Sequence, residues 1–168
     1  MDAADERARR GAPAGVVVVA GAQTVGRGQR GRQWLAPAGT SLLMTMIARP
    51  ECDPGRLADV PELVGRHLSA AVFRIAGLRC DVKLPNDLMV NDRKLAGILC
   101  QSAIEGPQVR HLLIGIGINV NIPPDDLPLP TATSLEIETG QRWDLNLLLN
   151  EVLNEIEQCW CFAACTNA

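Results

Sequence analysis

The sequence predicts an α+β fold in which a mixed, largely antiparallel sheet packs against helices. Three observations favour this class. Short apolar or β-branched runs separated by turn signals predict strands, and apolar residues at helical spacing over 57–76 and 144–160 predict amphipathic helices. Several strands of the second half follow one another with no helix between them, unlike regular β-α alternation. The length of 168 residues suits one domain with one core.

The first half of the chain is predicted to form a helix, two strands and a second helix. Residues 2–10 mix alanine with charged residues, and the glycines and proline that follow end this helix. The run VVVVA at 16–20 predicts a buried strand, and the apolar run at 41–48, after the turn-like APAGT, predicts another. The helical spacing over 57–76 predicts a helix despite Pro61 near its start.

The second half is predicted to form strands and a closing helix. Residues 79–84 predict a strand, residues 88–99 a hairpin, and residues 109–121 a strand in which glycines leave room for a group to approach the backbone. The hairpin should turn at Asn91 and Asp92. A proline-rich loop is expected over 123–140, and Asp144 should cap the final helix.

The composition is that of an ordinary globular protein. The net charge of -3 gives no general attraction to nucleic acid or to an anionic membrane, and no apolar run is long enough for a membrane-spanning helix. The N-terminus lacks the pattern of a signal peptide, so we expect a cytoplasmic location. We therefore expect reduced thiols, and Cys159, Cys161 and Cys165 read as thiols on the last helix in preference to zinc ligands.

The stretch QTVGRGQRGRQW, residues 23–34, combines flexible glycines with three closely spaced arginines. Glycine allows the backbone to approach a ligand, and the guanidinium fork suits phosphate or carboxylate, so the loop is a candidate anion site. A solvated basic turn explains the composition equally well. The stretch matches neither of the common glycine-rich nucleotide motifs.

Two further segments carry candidate chemistry. In KLPNDLMVNDRKLAGIL, residues 83–99, a hairpin would bring Lys94 beside Asn86 and Asp87; the alternative is a polar hairpin with a surface salt bridge. In GIGINVN, residues 115–121, Asn119 and Asn121 would share one strand face, where an amide could read a base edge. A polar strand end is the competing interpretation.

The order and spacing of GRGQRGRQW, KLPND, RKLAGIL and GIGINVN resemble the catalytic domain of biotin protein ligases, within the biotin/lipoate protein ligase superfamily. The resemblance runs from about Asp2 to the final helix. It implies a class II synthetase-like fold and a biotin–[acetyl-CoA-carboxylase] ligase activity that uses ATP, Mg²⁺ and biotin. Biotinyl-5'-AMP would form first, and a lysine of a biotin carboxyl carrier protein, a subunit of acetyl-CoA carboxylase, would then accept the biotin.

The resemblance also implies roles for individual residues. Lys94 and Asp87 are the implied catalytic residues, and Asp87 is also a candidate for orienting Mg²⁺. The implied contacts to biotin and the adenylate are Gln23, Arg27, Gly28, Gln29 and Lys94. The implied nucleotide contacts are Arg30, Arg32, Trp34, Asn86 and Asn119. Many relatives have arginine at position 29 and tryptophan at position 84, where this chain has Gln29 and Leu84.

We expect residues 1–168 to be a single catalytic domain. Relative to the family it would lack an N-terminal helix-turn-helix, a first strand with a Ser-Thr-Asn segment, and a C-terminal β-barrel domain. No DNA or membrane binding is then expected, and a homodimer could cover the exposed sheet edge. Two alternatives stay open: a noncatalytic protein that binds biotin or its adenylate, and a relative of the lipoate or octanoyl transferase type.

Overall fold

The computed structural model describes residues 1–163, with side chains up to residue 158. The side chains of Cys159, Cys161 and Cys165, for which thiols on the last helix were predicted, lie outside the described residues. The helices are α1 (Asp2–Arg9), α2 (Val60–Ala76), α3 (Leu135–Thr139) and α4 (Leu145–Ala163). The strands are β1 (Val17–Ala20), β2 (Ser41–Ala48), β3 (Asp81–Lys83), β4 (Asp87–Val90), β5 (Arg93–Glu105) and β6 (Gln108–Asn119).

The six strands form one sheet in the order β1-β2-β6-β5-β4-β3, and every neighbouring pair is antiparallel. The predicted α+β class with a largely antiparallel sheet is therefore confirmed. The hairpin between β4 and β5 turns at Asn91 and Asp92, as predicted, and both residues have positive φ angles. Asn and Asp tolerate this left-handed conformation better than most other residues.

The two faces of the sheet have different partners. One face carries the main core, in which side chains of β2, β5 and β6 pack against α2 and α4; Leu68, Ile98 and Ile156 are nearly or completely buried there. The opposite face packs on α1 through a smaller cluster containing Ala4, Ala8, Ile47 and Leu113. The strand period of two separates these sets, because successive side chains point to opposite faces.

Several predicted boundaries differ from the structure, and two of the differences concern helices. The predicted helix over 57–76 begins only at Val60, because residues Pro54–Asp59 form a 3₁₀ turn. The predicted loop over 123–140 contains α3, which Ser134 caps by accepting a hydrogen bond from the amide of Ile137. Asp144 caps α4 as predicted, with its Oδ1 2.7 Å from the amide nitrogen of Asn146. No helix within residues 1–163 is both long and apolar enough to cross a membrane.

Candidate active site

A cavity of about 480 Å³ lies on the sheet face opposite α2 and α4, next to the start of α1. Its walls come from residues 23–34, called here the glycine-arginine loop, from the centre of the sheet and from the hairpin between β4 and β5. Seven of the residues that the sequence singled out line this cavity: Gln23, Arg27, Gly28, Gln29, Trp34, Asn86 and Lys94. Segments more than 60 residues apart in the chain therefore meet at one site.

Trp34 closes the end of the glycine-arginine loop against the sheet. Gly97 and Gly117 are paired across β5 and β6. A Cβ atom at position 117 would lie 2.7 Å from Cε2 of Trp34, and one at position 97 would lie 2.9 Å from its Cζ3. The space over Gly117 thus holds an aromatic ring of the same chain. The indole Nε1 is buried and has no hydrogen-bond partner among the described residues.

A one-residue bulge in β5 turns Lys94 toward the cavity. In the β4–β5 ladder, Met89 pairs with Lys94 and Leu88 pairs with Ala96, so Leu95 is the extra residue. Without this bulge, Lys94 and Gly97 would point to opposite faces, because they are three residues apart. With it, both lie on the cavity face, and a Cβ at position 97 would be 3.3 Å from Lys94 Nζ.

The Lys94 ammonium has two neighbours in the site. Its Nζ lies 2.6 Å from Oδ1 of Asp87, as an ion pair without regular hydrogen-bond geometry, and 5.3 Å from the centre of the Trp34 ring. The Lys94 side chain is 31% exposed, so a ligand can reach it. Asn86 is fixed beside this pair by two hydrogen bonds to the backbone of Ile98. Its side-chain Nδ2 donates to the Ile98 carbonyl, and its backbone carbonyl accepts from the Ile98 amide.

The glycine-arginine loop closes on itself at the surface. The Gly28 amide donates to the Arg32 carbonyl at 2.7 Å, and Arg30 adopts a left-handed conformation with φ 57°. Arg27 forms an ion pair with Asp2 at the start of α1. Arg30 and Arg32 do not belong to the cavity wall in this conformation, and the backbone turn directs the loop tip toward solvent.

The two predicted asparagines have different surroundings. Asn119, the last residue of β6, is buried; its Nδ2 donates to the Thr133 carbonyl at 3.0 Å, and its Oδ1 has no partner in the described part of the chain. Asn121 lies beyond the strand and binds the backbone of Trp143 through both ends of its amide. The prediction that Asn119 and Asn121 share one strand face is wrong, because β6 ends at Asn119.

Several cavity residues were not predicted from the sequence. Met1, Asp2 and Ala3 at the start of α1 line the wall, and the Met1 side chain contacts the space over Gly115. Leu43 and Thr45 of β2 also contribute. Alternation within β2 would have assigned Leu43 and Thr45 to one face, but nothing local indicated that this face bears the cavity.

The described residues offer no dedicated metal site. No group of three or more His, Cys, Asp or Glu side chains within residues 1–163 is arranged to hold a metal ion. Asp87, the candidate for Mg²⁺, already has an ammonium group 2.6 Å from Oδ1. A protein that binds Mg²⁺ through one carboxylate relies on substrate phosphates and water for the remaining ligands.

Comparisons with known proteins agree on one family. Residues 3–119 match the biotin/lipoate A/B protein ligase family. The chain is 36% identical over 153 residues to the bifunctional ligase/repressor BirA of Bacillus subtilis, covering 89% of this chain and 47% of that protein. It is also 36% identical over 137 residues to the biotin–[acetyl-CoA-carboxylase] ligase of Paracoccus denitrificans, covering 76% and 55%. The chain thus matches about half the length of each relative.

Solved structures with a similar fold are also biotin protein ligases. The biotin protein ligase from Aquifex aeolicus in complex with biotin and ATP superposes with a TM-score of 0.74 at 30% identity, covering 92% of this chain and 64% of that chain. The biotin protein ligase from Leishmania major in complex with biotin has a TM-score of 0.71 at 25% identity, covering 99% and 78%. The chain therefore belongs to the biotin/lipoate A/B protein ligase family and has the fold of a biotin protein ligase catalytic domain.

Proposed function

We propose that this protein is an ATP-dependent biotin protein ligase, which forms biotinyl-5'-AMP and transfers the biotinyl group to a lysine of a biotin carboxyl carrier protein. The observation that carries the proposal is the position of the Lys94 ammonium in a cavity shared with Trp34 and the glycine-arginine loop. Relatives named as biotin–[acetyl-CoA-carboxylase] ligases support acetyl-CoA carboxylase as the source of the acceptor.

In the first step, an oxygen of the biotin carboxylate bonds to the α-phosphorus of ATP, and the bond from that phosphorus to pyrophosphate breaks. Both reactants are anions, so fixed positive charge in the site lowers the barrier. Lys94 supplies that charge from the cavity wall, and Arg27, also in the wall, supplies more once a ligand competes with Asp2 for it. Gln23 and Gln29 contribute polar groups to the biotin and adenylate contacts.

Asp87 has a different part in this mechanism. While it is paired with Lys94, it holds the ammonium at the cavity wall. In the second step the acceptor lysine loses a proton, its nitrogen bonds to the biotinyl carbonyl carbon, and the bond from that carbon to the phosphate oxygen breaks, so that AMP leaves. We assign the proton to the Asp87 carboxylate. Mg²⁺ would be bound as part of the MgATP substrate, where it would neutralise phosphate charge. Asp87 would be the carboxylate that orients it, and Asn86 would contact the same end of the nucleotide.

The remaining contacts concern the nucleotide. Trp34 packs beside adenine from its position on Gly97 and Gly117, and the unpartnered Oδ1 of Asn119 accepts a hydrogen bond from the base. Arg30 and Arg32, at the exposed loop tip, reach the phosphates when the loop folds over the adenylate. This closure uses the freedom that glycine gives the loop backbone.

We further propose that the domain acts as a cytoplasmic homodimer. Strand β1 forms one edge of the sheet, and an edge strand leaves backbone groups free for a second subunit. Sedimentation equilibrium at micromolar concentration tests this part. A strictly monomeric mass would contradict it.

The central experiment compares Lys94→Gln with Lys83→Gln, which replaces the other lysine of the chain. Lys83 is exposed at the end of β3 and does not line the cavity, so it controls for loss of a positive charge. We expect Lys94→Gln to lower biotin-dependent ATP–pyrophosphate exchange by about 100-fold or more, and Lys83→Gln to leave it unchanged.

Two other outcomes would contradict this function, and a third would contradict the role of Lys94. Biotin binding without any pyrophosphate exchange by the wild-type protein would favour the noncatalytic alternative. Exchange that depends on lipoate or octanoate, and not on biotin, would favour the second alternative. Equal exchange by wild type and Lys94→Gln would remove Lys94 from the chemistry.

A further inference from the structure

Thr133 is a completely buried residue whose three polar groups bind Lys94, Asn119 and Glu138. Its amide donates to the carbonyl oxygen of Lys94 at 2.9 Å. Its own carbonyl accepts a hydrogen bond from Nδ2 of Asn119 at 3.0 Å. Its hydroxyl donates to Oε1 of Glu138 at 2.6 Å. One side chain and its peptide groups therefore join two candidate functional residues that lie on different strands.

The Glu138 carboxylate anchors this arrangement. Its side chain is 5% exposed, and Oε1 also accepts from Nη2 of Arg93 at 2.7 Å, while Oε2 accepts from the amide of Asn91 at 3.2 Å. Arg93 directly precedes Lys94, so the contacts form a closed ring from Lys94 through Thr133 and Glu138 back to Arg93. Glu138 and Arg93 neutralise each other, and the ring therefore acts through geometry more than through charge.

The backbone of Lys94 depends on this ring. The Lys94 amide donates to the Thr131 carbonyl at 2.8 Å, and Lys94 and Ala132 form a single parallel bridge. These bonds come immediately before the bulge at Leu95 that turns Lys94 toward the cavity. A bulge interrupts the ladder on one side, so the strand needs another partner to hold its direction.

The same threonine fixes the Asn119 amide. Because Nδ2 of Asn119 is bound to the Thr133 carbonyl, Oδ1 is the unpaired end of the amide; it is buried and has no partner within the described chain. Movement of the segment 131–133 would shift this acceptor and the Lys94 ammonium together. A displacement of about 1 Å at a reacting group is enough to slow a reaction greatly.

We propose that Thr133, held in place by Glu138, is a positioning residue that keeps Lys94 and Asn119 in a fixed relation. The proposal rests on the proposed function, since Lys94 is assigned there to the reacting carboxylate and phosphate and Asn119 to the base. It adds that both ends of the bound nucleotide are aligned through one buried hydroxyl.

The test replaces Thr133 with Val, which keeps the shape of the side chain and both backbone hydrogen bonds but removes the hydroxyl. Thr133→Ser restores a hydroxyl and should recover the wild-type behaviour. Thr139→Val is the matched control: the Thr139 hydroxyl also makes internal hydrogen bonds, to the Leu135 carbonyl and from Nε1 of Trp143, but it contacts neither Lys94 nor Asn119.

Two readouts separate positioning from stability. Hydrogen exchange of the Lys94 and Thr133 amides should become about tenfold faster in Thr133→Val and stay unchanged in Thr139→Val, because only the first variant loses the bond that holds the segment. In pyrophosphate exchange, kcat should fall about tenfold in Thr133→Val with the KM for biotin nearly unchanged. Thermal unfolding of both valine variants supplies the comparison for stability.

The amide exchange decides the proposal independently of the activity. Unchanged exchange at Lys94 in Thr133→Val overturns it, as does an equal loss of kcat in Thr139→Val. If the wild-type protein shows no biotin-dependent pyrophosphate exchange, the proposed function fails. The altered amide exchange would in that case still support the structural coupling of Lys94 to the segment 131–133.

Discussion

Replacement of Gly117 by alanine should displace the Trp34 ring and weaken nucleotide binding. The added Cβ would lie 2.7 Å from Cε2, 2.9 Å from Cζ2 and 3.1 Å from Nε1 of Trp34. Carbon atoms in contact prefer separations near 3.5 Å or more, so the ring must move by about 0.8 Å. The backbone at position 117 belongs to the centre of the sheet and is the less movable partner.

Overpacking of this kind costs about 1–3 kcal/mol. If the ring stays in contact with the sheet, this cost lowers the free energy of unfolding. If the ring moves outward, it takes the space proposed for adenine, and the same cost weakens ATP binding by about 5- to 150-fold. We expect the second result, because the loop that carries Trp34 lies at the surface and moves more easily than the sheet.

The assay measures the KM for ATP in pyrophosphate exchange together with the thermal midpoint. Gly97→Ala, whose Cβ would lie 2.9 Å from Cζ3 of Trp34, should act in the same direction. Gly21→Ala is the control, since its Cβ would meet no atom within 4 Å. In a Trp34→Ala background the Gly117→Ala change should have no further effect, because the clashing ring is gone.

An unchanged KM for ATP together with an unchanged thermal midpoint in Gly117→Ala would refute this reasoning. So would equal effects of Gly117→Ala in the presence and absence of the Trp34 ring. The second result would mean that the alanine acts on the strand itself.

Three further predictions concern stability and reactivity. Hydrogen bonds from Arg9 and then from His111 hold the pKa of Asp5 below its ordinary 3.8. This carboxylate therefore stabilises the fold above pH 3.8, and the contribution is lost as the pH falls through the lowered pKa. Asp5→Asn should flatten the acid limb of a pH–stability curve, and an unaltered limb would contradict this. Arg49 donates to three backbone carbonyls at the end of α1 and on β6. Arg49→Met should therefore lower the free energy of unfolding by about 1–3 kcal/mol, measured by urea titration. An unchanged free energy of unfolding would contradict this prediction. Burial raises the pKa of Cys100 to about 12. At pH 8, iodoacetamide should therefore alkylate Cys100 about 100-fold more slowly in the native protein than in the unfolded protein, as measured by mass spectrometry. Equal rates would exclude a buried thiol.

The sequence predicted most of the elements because their signals are local. The valine run, the helical spacing in α2 and the Asn91–Asp92 turn need only nearby residues to be interpreted. The short helix α3 was missed because prolines upstream marked the segment as a loop, while its cap at Ser134 depends on one hydrogen bond. Asn121 was misassigned because a strand pattern does not reveal where pairing stops.

For the candidate site, too, the sequence predicted the residues, whereas their arrangement required the structure. The resemblance of four motifs named the residues, and the structure brings Gln23, Trp34 and Lys94 to one cavity while leaving Arg30 and Arg32 at the loop tip. The contribution of α1 to the cavity had no local signal. It depends on packing of that helix against β2 and β6, far along the chain.

The sequence by itself determined most of the strands and helices, the family and the residue types of the site, because side-chain periodicity and motif spacing are properties of neighbouring residues. Only the tertiary structure decided which way Lys94 points, since the bulge at Leu95 reverses the face that simple alternation would assign. It also decided that Trp34 fills the space over Gly117 and that Thr133 joins Lys94 to Asn119. These contacts form between segments distant in sequence, and their geometry is fixed by strand register and packing.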